Sequence, residues 1–283
     1  MNAIELHPES VARLVDFIVE RHSITMKKAA GEPKPWTTDP ILRQYKFCSV
    51  YRELDTETVW IAKNYRKIKH KHAWFAMVIA RLVNNRHALA KIEPVPFKPK
   101  HFVDVIHALL ERKQKAFSGA YIVSTNGVAM DKAEYLAQYV LQPIWDARER
   151  LAPEPNMLCS EFYTRLRAFR GMGTFMAGQV VADVKFMMHP VPRDFWVFAV
   201  SGPGSRRGLN IICNRPMEAP WREHEWYDKL DELMISFAHI SHARLQAMPK
   251  ISMQDLQNCL CEYTKYYKVL TRIGRPRSNY PGV

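Results

Sequence analysis

The 283 residues carry 41 Lys and Arg against 28 Asp and Glu, a formal charge of +13, with 47% hydrophobic residues and a mean hydropathy of −0.28. Such a composition excludes a disordered polyelectrolyte, because it holds enough apolar surface for a core. It also excludes a membrane span, since no apolar run reaches the length required. The basic balance favours a polyanion partner, and no terminus carries a basic helix with bulky apolar anchors, so nucleic acid is preferred to an acidic membrane.

The first helix is predicted over 8–22, with Val11, Leu14, Val15 and Ile18 on one face. A basic loop follows at 27–35. Thr37-Thr38-Asp39-Pro40 sets a capping residue before a proline at the first helical position, and 40–63 is helical in period. Aromatic anchors Tyr45, Phe47, Tyr51 and Trp60 lie along it. Further helices are predicted over 72–85, 100–115, 132–150, 159–169, 174–187, 223–246 and 252–273. The stretches Tyr121-Ile122-Val123 and Trp196 to Val200 allow one small hairpin, too little for a sheet core. The expected fold is all-α: a single helical unit over 1–283, in two lobes with a cleft near 165–210, ending in a mobile basic tail at 274–283.

The five cysteines, Cys48, Cys159, Cys213, Cys259 and Cys261, are odd in number and scattered. They read as reduced thiols of an intracellular protein, with no zinc spacing and no metal site. The start MNAIELHPES lacks the apolar core of a signal peptide. No cofactor is expected.

The most informative segment is RLRAFRGMGTFMAGQVVAD, residues 165–183. Two helical runs meet at Gly171-Met172-Gly173, a turn that suits positive φ and close backbone approach. The amides at the start of the second run, with Gly171, Gly173 and Thr174, would grip a DNA phosphate. A plain pair of helices is the competing reading. Gln179 and Asp183 share one face of the second run, where they line a cleft or tie down loops.

Asp194 lies 21 positions past Gly173 (194 − 173). It is either a helix cap or a catalytic carboxylate in a dry cleft. Gly202 to Gly208 reads as a glycine-rich loop with exposed amides and two guanidinium groups, Arg206 and Arg207, suited to phosphate. It is no Walker A sequence, and none occurs in these residues, so no P-loop kinase activity is expected. Arg52, Glu53 and Asp55 are either a paired surface or part of a pocket that clamps an extruded nucleotide. Glu262 and Lys265 either pair or face a pocket.

Four segments together resemble a known family: WTTDPILRQYKFCSVYRELDTET (36–58), FRGMGTFMAGQVVADVKF (169–186), DFWVFAVSGPGSRRGLN (194–210) and LQNCLCEYTKYYKVLTRIGRPR (256–277). They look like the phage thymine-hypermodification enzymes called α-glutamyl/putrescinyl thymine pyrophosphorylases, which include amino acid:DNA transferases. A related helical domain accompanies the P-loop domain of 5-hydroxymethyluracil DNA kinases. The resemblance covers most of the chain in order. It implies an all-α fold distantly similar to helix-hairpin-helix DNA glycosylases, acting on duplex DNA in the cytoplasm of an infected host cell. Thr174-Phe175 stands where those glycosylases carry a lysine, which argues against a lyase.

The resemblance further implies a route. A separate kinase phosphorylates 5-hydroxymethyluracil in DNA, and the transferase replaces the phosphate with an amine such as glycine, glutamate or putrescine. On that reading Asp194 and Asp183 are catalytic carboxylates, and Arg206 and Arg207 hold the leaving group. Gln179, Arg52, Glu53, Asp55, Glu262 and Lys265 bind substrate, while Gly171, Gly173 and Thr174 bind DNA. The alternatives are a glycosylase-like excision enzyme and a non-catalytic DNA-binding partner of the kinase. A donor carboxylate would call for a spare arginine, such as Arg43 or Arg215.

Overall fold

A computed structural model describes residues 4–119, 123–276 and 279. In chain order its helices are α1 (Pro8–Ala29), α2 (Pro40–Gln44), α3 (Thr56–Asn64), α4 (Trp74–Val83), α5 (Arg86–Leu89), α6 (Pro99–Glu111), α7 (Lys132–Tyr135), α8 (Gln142–Asp146), α9 (Arg148–Leu151), α10 (Cys159–Arg167), α11 (Thr174–Val184), α12 (Pro203–Ile212), α13 (Glu223–His239), α14 (Ala243–Gln246) and α15 (Met253–Leu270). The described residues contain no strand, only an isolated bridge between Tyr45 and Asn279. The chain divides into two compact units, Met1–Asp55 with Trp196–Val283, and Thr56–Phe195. Most of the basic tail lies outside the described residues, as do Tyr121 and Ile122 of the candidate hairpin.

The first unit is built from α1, α2 and α12 to α15. The predicted face of α1 is buried, and its apolar stripe continues through Ile24 to a helix end at Ala29. Leu209 and Ile212 of α12, Trp226, Leu230 and Leu233 of α13, and Leu256, Leu260 and Tyr263 of α15 complete the core. Helices α12 and α15 pack with almost no gap. A Cβ on Gly204 would strike the Cys261 sulfur, and one on Gly208 would strike the Leu260 carbonyl. The segment 202–208 is thus the opening of a buried-face helix, not an exposed loop. Its first amide, Gly202, donates to Ser205 Oγ at 3.0 Å.

Asp39 caps α2 as its sequence suggests, accepting the amides of Ile41 and Leu42 at 2.8 Å each. The helix expected over 40–63 is nevertheless interrupted after Gln44 and resumes only at Thr56, with one 3₁₀ turn at Arg52–Leu54. The helix expected over 223–246 likewise breaks after His239, and His242 starts α14 by accepting the Leu245 amide through Nδ1. Among the described residues Trp196 to Val200 pairs with no strand. Its carbonyls serve helices instead: Trp196 O accepts the Met253 amide, and Val197 O accepts the Tyr227 hydroxyl.

The second unit centres on α4, buried on every side. Helix α11 packs on α4, and α10 packs on α11. The helix expected over 132–150 widens into π-type turns at Leu136–Leu141 before α8. Pro143 supplies the reason: it has no amide to return to the Tyr139 carbonyl, so the ladder slips at that point.

Candidate functional site

In the first unit, the interrupted segment exchanges helical hydrogen bonds for side-chain partners. Arg21 of α1 donates through Nη2 to the carbonyls of Phe47 (2.8 Å) and Cys48 (2.7 Å). The Cys48 amide donates to Glu262 Oε2 at 3.1 Å, and the next amide, Ser49, donates to Asp55 Oδ1 at 2.8 Å. Asn258 donates to the Ser49 carbonyl at 3.1 Å. Lys265, three positions along α15 from Glu262, pairs with its Oε1 at 2.5 Å. Asp55 and Glu262, about two hundred positions apart, thus meet on two neighbouring amides, and Lys265 joins them through Glu262.

The electrostatics of this cluster are distinctive. Burial pushes the Asp55 carboxyl above its ordinary value and the Glu262 charge adds to the effect, while the Ser49 amide and Arg52 oppose it. Burial works against the Lys265 ammonium, but Glu262 overrides burial and holds it above the ordinary lysine value. The pair runs from core to surface, Glu262 being 5% and Lys265 45% exposed. Burial and the Glu262 charge raise the Cys261 thiol, so it is no thiolate nucleophile at neutral pH. A carboxyl of raised basicity can take a proton from an amine, and an ammonium held by Glu262 can attract an anion. Glu53 is half-buried in the 3₁₀ turn.

Arg206 and Arg207 differ in how far they are committed. Arg206 spends its donors internally, on Ser201 Oγ, the Trp221 carbonyl and Glu223. It ties the start of α12 to the start of α13. Arg207 makes one pair, with Glu218 at 2.8 Å, whose carboxylate is 70% exposed. Exposed pairs of this kind are weak and screened by salt, so Arg207 can still turn to a ligand. Its charge also reaches Cys261.

In the second unit, Asp183 has no exposed surface. It accepts from Arg81 Nη2 and Arg66 Nη2, each at 2.8 Å, and from Arg81 Nε. Arg81 is itself buried and also donates to Thr58 Oγ1 (3.0 Å) and Asn84 Oδ1 (3.2 Å). Gln179 lies one turn earlier on α11, half-buried. Asp194 divides its carboxylate between the first two amides of α10: Oδ1 takes Cys159 at 2.8 Å and Oδ2 takes Ser160 at 2.9 Å. It acts as an N-cap supplied from 34 residues away (194 − 160). Beside it, burial first and then the Asp194 charge push the Cys159 thiol up to about 12.

The helix–turn–helix at 165–183 forms as predicted from α10, the turn and α11. The glycines are not equivalent. Gly171 has φ +79°, and a Cβ there would lie 2.8 Å from Val140, so both conformation and packing demand glycine. Gly173 has φ −64°, ordinary for any residue, and a Cβ there would meet nothing. The expectation of positive φ at both positions is corrected accordingly. Beside the turn, the Arg170 guanidinium lies 5.5 Å from the Tyr135 ring and 5.4 Å from the Tyr139 ring. Thr174 is half-buried and Phe175 exposed.

The sequence matches the family model described as 5-hmdU DNA kinase, helical domain, over residues 9–274. The chain belongs to this family. The 5-hmdU DNA kinase of Bacillus phage SP10 is 24% identical over 297 residues, which cover 92% of this chain and 46% of that protein. The chain spans about half the length of the curated relative it matches. No solved structure matches.

Within this member of the 5-hmdU DNA kinase helical-domain family, Arg21, Cys48 and Asn258 join the polar cluster without having been singled out from sequence. Arg21 did leave a signal, since a charged residue at 21 continues the buried stripe of 14, 15 and 18. Cys48 enters through its backbone and Asn258 through its side-chain amide, which reaches a distant carbonyl, and neither left a signal. Among the described residues no three His, Cys, Asp or Glu side chains are grouped to hold a metal ion, and no helix is long and apolar enough to cross a membrane.

Proposed function

We propose that this helical chain is a transferase that acts on DNA carrying phosphorylated 5-hydroxymethyluracil, in thymidine hypermodification by a phage. It replaces the phosphate with an amine, an amino acid such as glycine being the preferred donor. The observation that carries the reading is the cluster of Asp55, Glu262 and Lys265. As the amine nitrogen bonds to the exocyclic carbon, the carbon–oxygen bond to phosphate breaks, and the ammonium proton passes to Asp55. A carboxyl of raised basicity suits that step. Lys265 and Arg207 hold the departing phosphate. Arg52 and Glu53 border the same site, and Arg206 fixes the frame that presents Arg207.

DNA is held at the hairpin. Gly173 is required neither by φ nor by packing, and it leaves open the approach to the first amides of α11. Thr174 stands beside that opening. Gln179 and Asp183 stabilise α11 behind it. Asp194 is the competing candidate for the proton acceptor, although each of its oxygens already accepts an amide. In this reading phosphorylation comes from a kinase acting earlier, in the cytoplasm of the infected cell.

The test is direct. The protein is incubated with duplex DNA carrying the phosphorylated base and a mixture of amino acids and polyamines, and the DNA is digested to nucleosides for mass spectrometry. An aminated nucleoside is expected, lost in Asp55→Asn with DNA binding retained. Turnover in Asp55→Asn but not in Asp194→Asn would move the proton acceptor to Asp194. DNA bound but unchanged by every amine would favour a second reading, a DNA-binding module that accompanies a kinase. The match to the helical domain of proteins named as kinases supports that alternative.

A further inference from the structure

Between Glu57 and Glu93 the sequence contains no acidic residue, yet it carries Lys63, Arg66, Lys67, Lys69, Lys71, Arg81, Arg86 and Lys91. Half of these cations are accounted for inside the second unit. Arg66 and Arg81 serve Asp183, Arg86 pairs with Glu57 at 3.2 Å, and Lys71 pairs with Glu149 at 2.8 Å. Lys63, Lys67, Lys69 and Lys91 are exposed and make no ion pair among the described residues. Like charges gathered without counter-ions repel one another, so the arrangement favours an external anion.

The segment that carries three of these lysines is fixed at both ends. At one end the Tyr65 hydroxyl, buried, donates to the Leu89 and Ile92 carbonyls at 2.7 and 3.1 Å, which also ties Lys91 to the same region. Arg66 anchors the next residue on Asp183 and stacks 4.5 Å from the Phe186 ring. At the other end buried His72 contacts Glu149 through Nε2 at 3.0 Å, and Trp74 packs on Phe162 of α10. The lysines are held out from a rigid strap, so little ordering entropy is lost when they meet a ligand.

We propose that the strap at 63–71, with Lys91, is a second contact surface for the phosphodiester backbone of duplex DNA, distinct from the hairpin. The inference rests on the reading of this chain as one that acts on DNA. The exposed cations of the strap are compact ammonium groups, while Tyr65 and Arg66 are committed internally and the His70 ring lies against His72 and Trp145, so it grips backbone without choosing sequence. It lacks the bulky apolar anchors that would seat it in a lipid surface. The hairpin lies at the start of α11 and Arg66 holds the strap to Asp183 near the end of that helix. One helix thus connects both contacts.

The experiment measures binding of the full chain to a plain 20-base-pair duplex by fluorescence anisotropy across a salt series. Lys63→Ala, Lys67→Ala and Lys69→Ala combined should lower the log Kd–log salt slope by about 2 to 3 and weaken binding at low salt at least about tenfold. A control with the same loss of charge, Lys98→Ala, Lys100→Ala and Lys113→Ala combined, should change the slope by less than about 1. An unchanged slope in the strap variant, or an equal loss in the control, overturns the proposal. Strap-dependent binding of anionic vesicles with unchanged duplex binding also overturns it. If the strap variant binds DNA as well as the parent while amination proceeds, the strap is wrong and the transferase stands. A strap effect on DNA binding with no amination of any substrate leaves the strap established and removes the transferase.

Discussion

Two carboxylates, Asp183 buried and Asp55 half-buried, illustrate what a single residue contributes here. Asp183 is a structural charge: one carboxylate balances two arginines, one of them as buried as itself. Removing one partner of such a group costs more than the group's net worth, because the remaining charge stays desolvated. Asp183→Ala should destabilise the protein by about 3–5 kcal/mol in urea unfolding, and an unchanged midpoint would refute the assignment. Asp55 behaves oppositely. Its folded-state pKa is raised, so the folded protein binds this proton more tightly than the unfolded chain does. The contribution of Asp55 is fully present below the unfolded carboxyl value, about 3.9, and is lost as pH rises toward the raised folded value. Asp55→Asn retains an acceptor for the Ser49 amide and removes that titration. Relative to the parent, the variant should be more stable at pH 7 than at pH 4, measured by urea unfolding at both.

At the scale of elements, the helices were legible where their own residues decide them. The apolar stripe of α1 and the Asp39-Pro40 start of α2 are local codes, read by periodicity and by capping chemistry. The interruption after Gln44 is not local. Arg21, Asn258 and Glu262 supply partners for backbone groups 47–49, and no window of sequence contains all of them. The site followed the same rule: Glu262 and Lys265 pair locally on α15, but the meeting of Asp55 with Glu262 depends on that interruption. Gly202 to Gly208 misled for a related reason. Glycine marks a loop and a close helix contact alike, and only the facing Cys261 and Leu260 distinguish them. Gly208→Ala pushes a methyl into the Leu260 carbonyl and should cost about 1–3 kcal/mol, checked by thermal unfolding. Gly173→Ala should leave the melting temperature within a few degrees, since its site is open.

For the whole molecule, the decisive feature is that one unit interrupts the other. The 140 residues of Thr56–Phe195 (195 − 55) separate the two halves of the first unit's core. Closing a connection of that length costs about 2 kcal/mol more in chain entropy than closing one of 20 residues, unless the intervening segment has already become compact. The contiguous unit should fold first. In pulse-labelled hydrogen exchange during refolding, amides of α4 and α11 should gain protection before those of α1 and α15, and the reverse order would refute this. The same arrangement has a consequence during synthesis. The face of α1 with Val11, Leu14, Val15 and Ile18 leaves the ribosome long before α12 and α15 exist to cover it. At about 5–20 residues per second the nascent chain carries that uncovered stripe for roughly 10–50 s. Holdase chaperones should bind this stripe on stalled ribosomes until the last helices emerge.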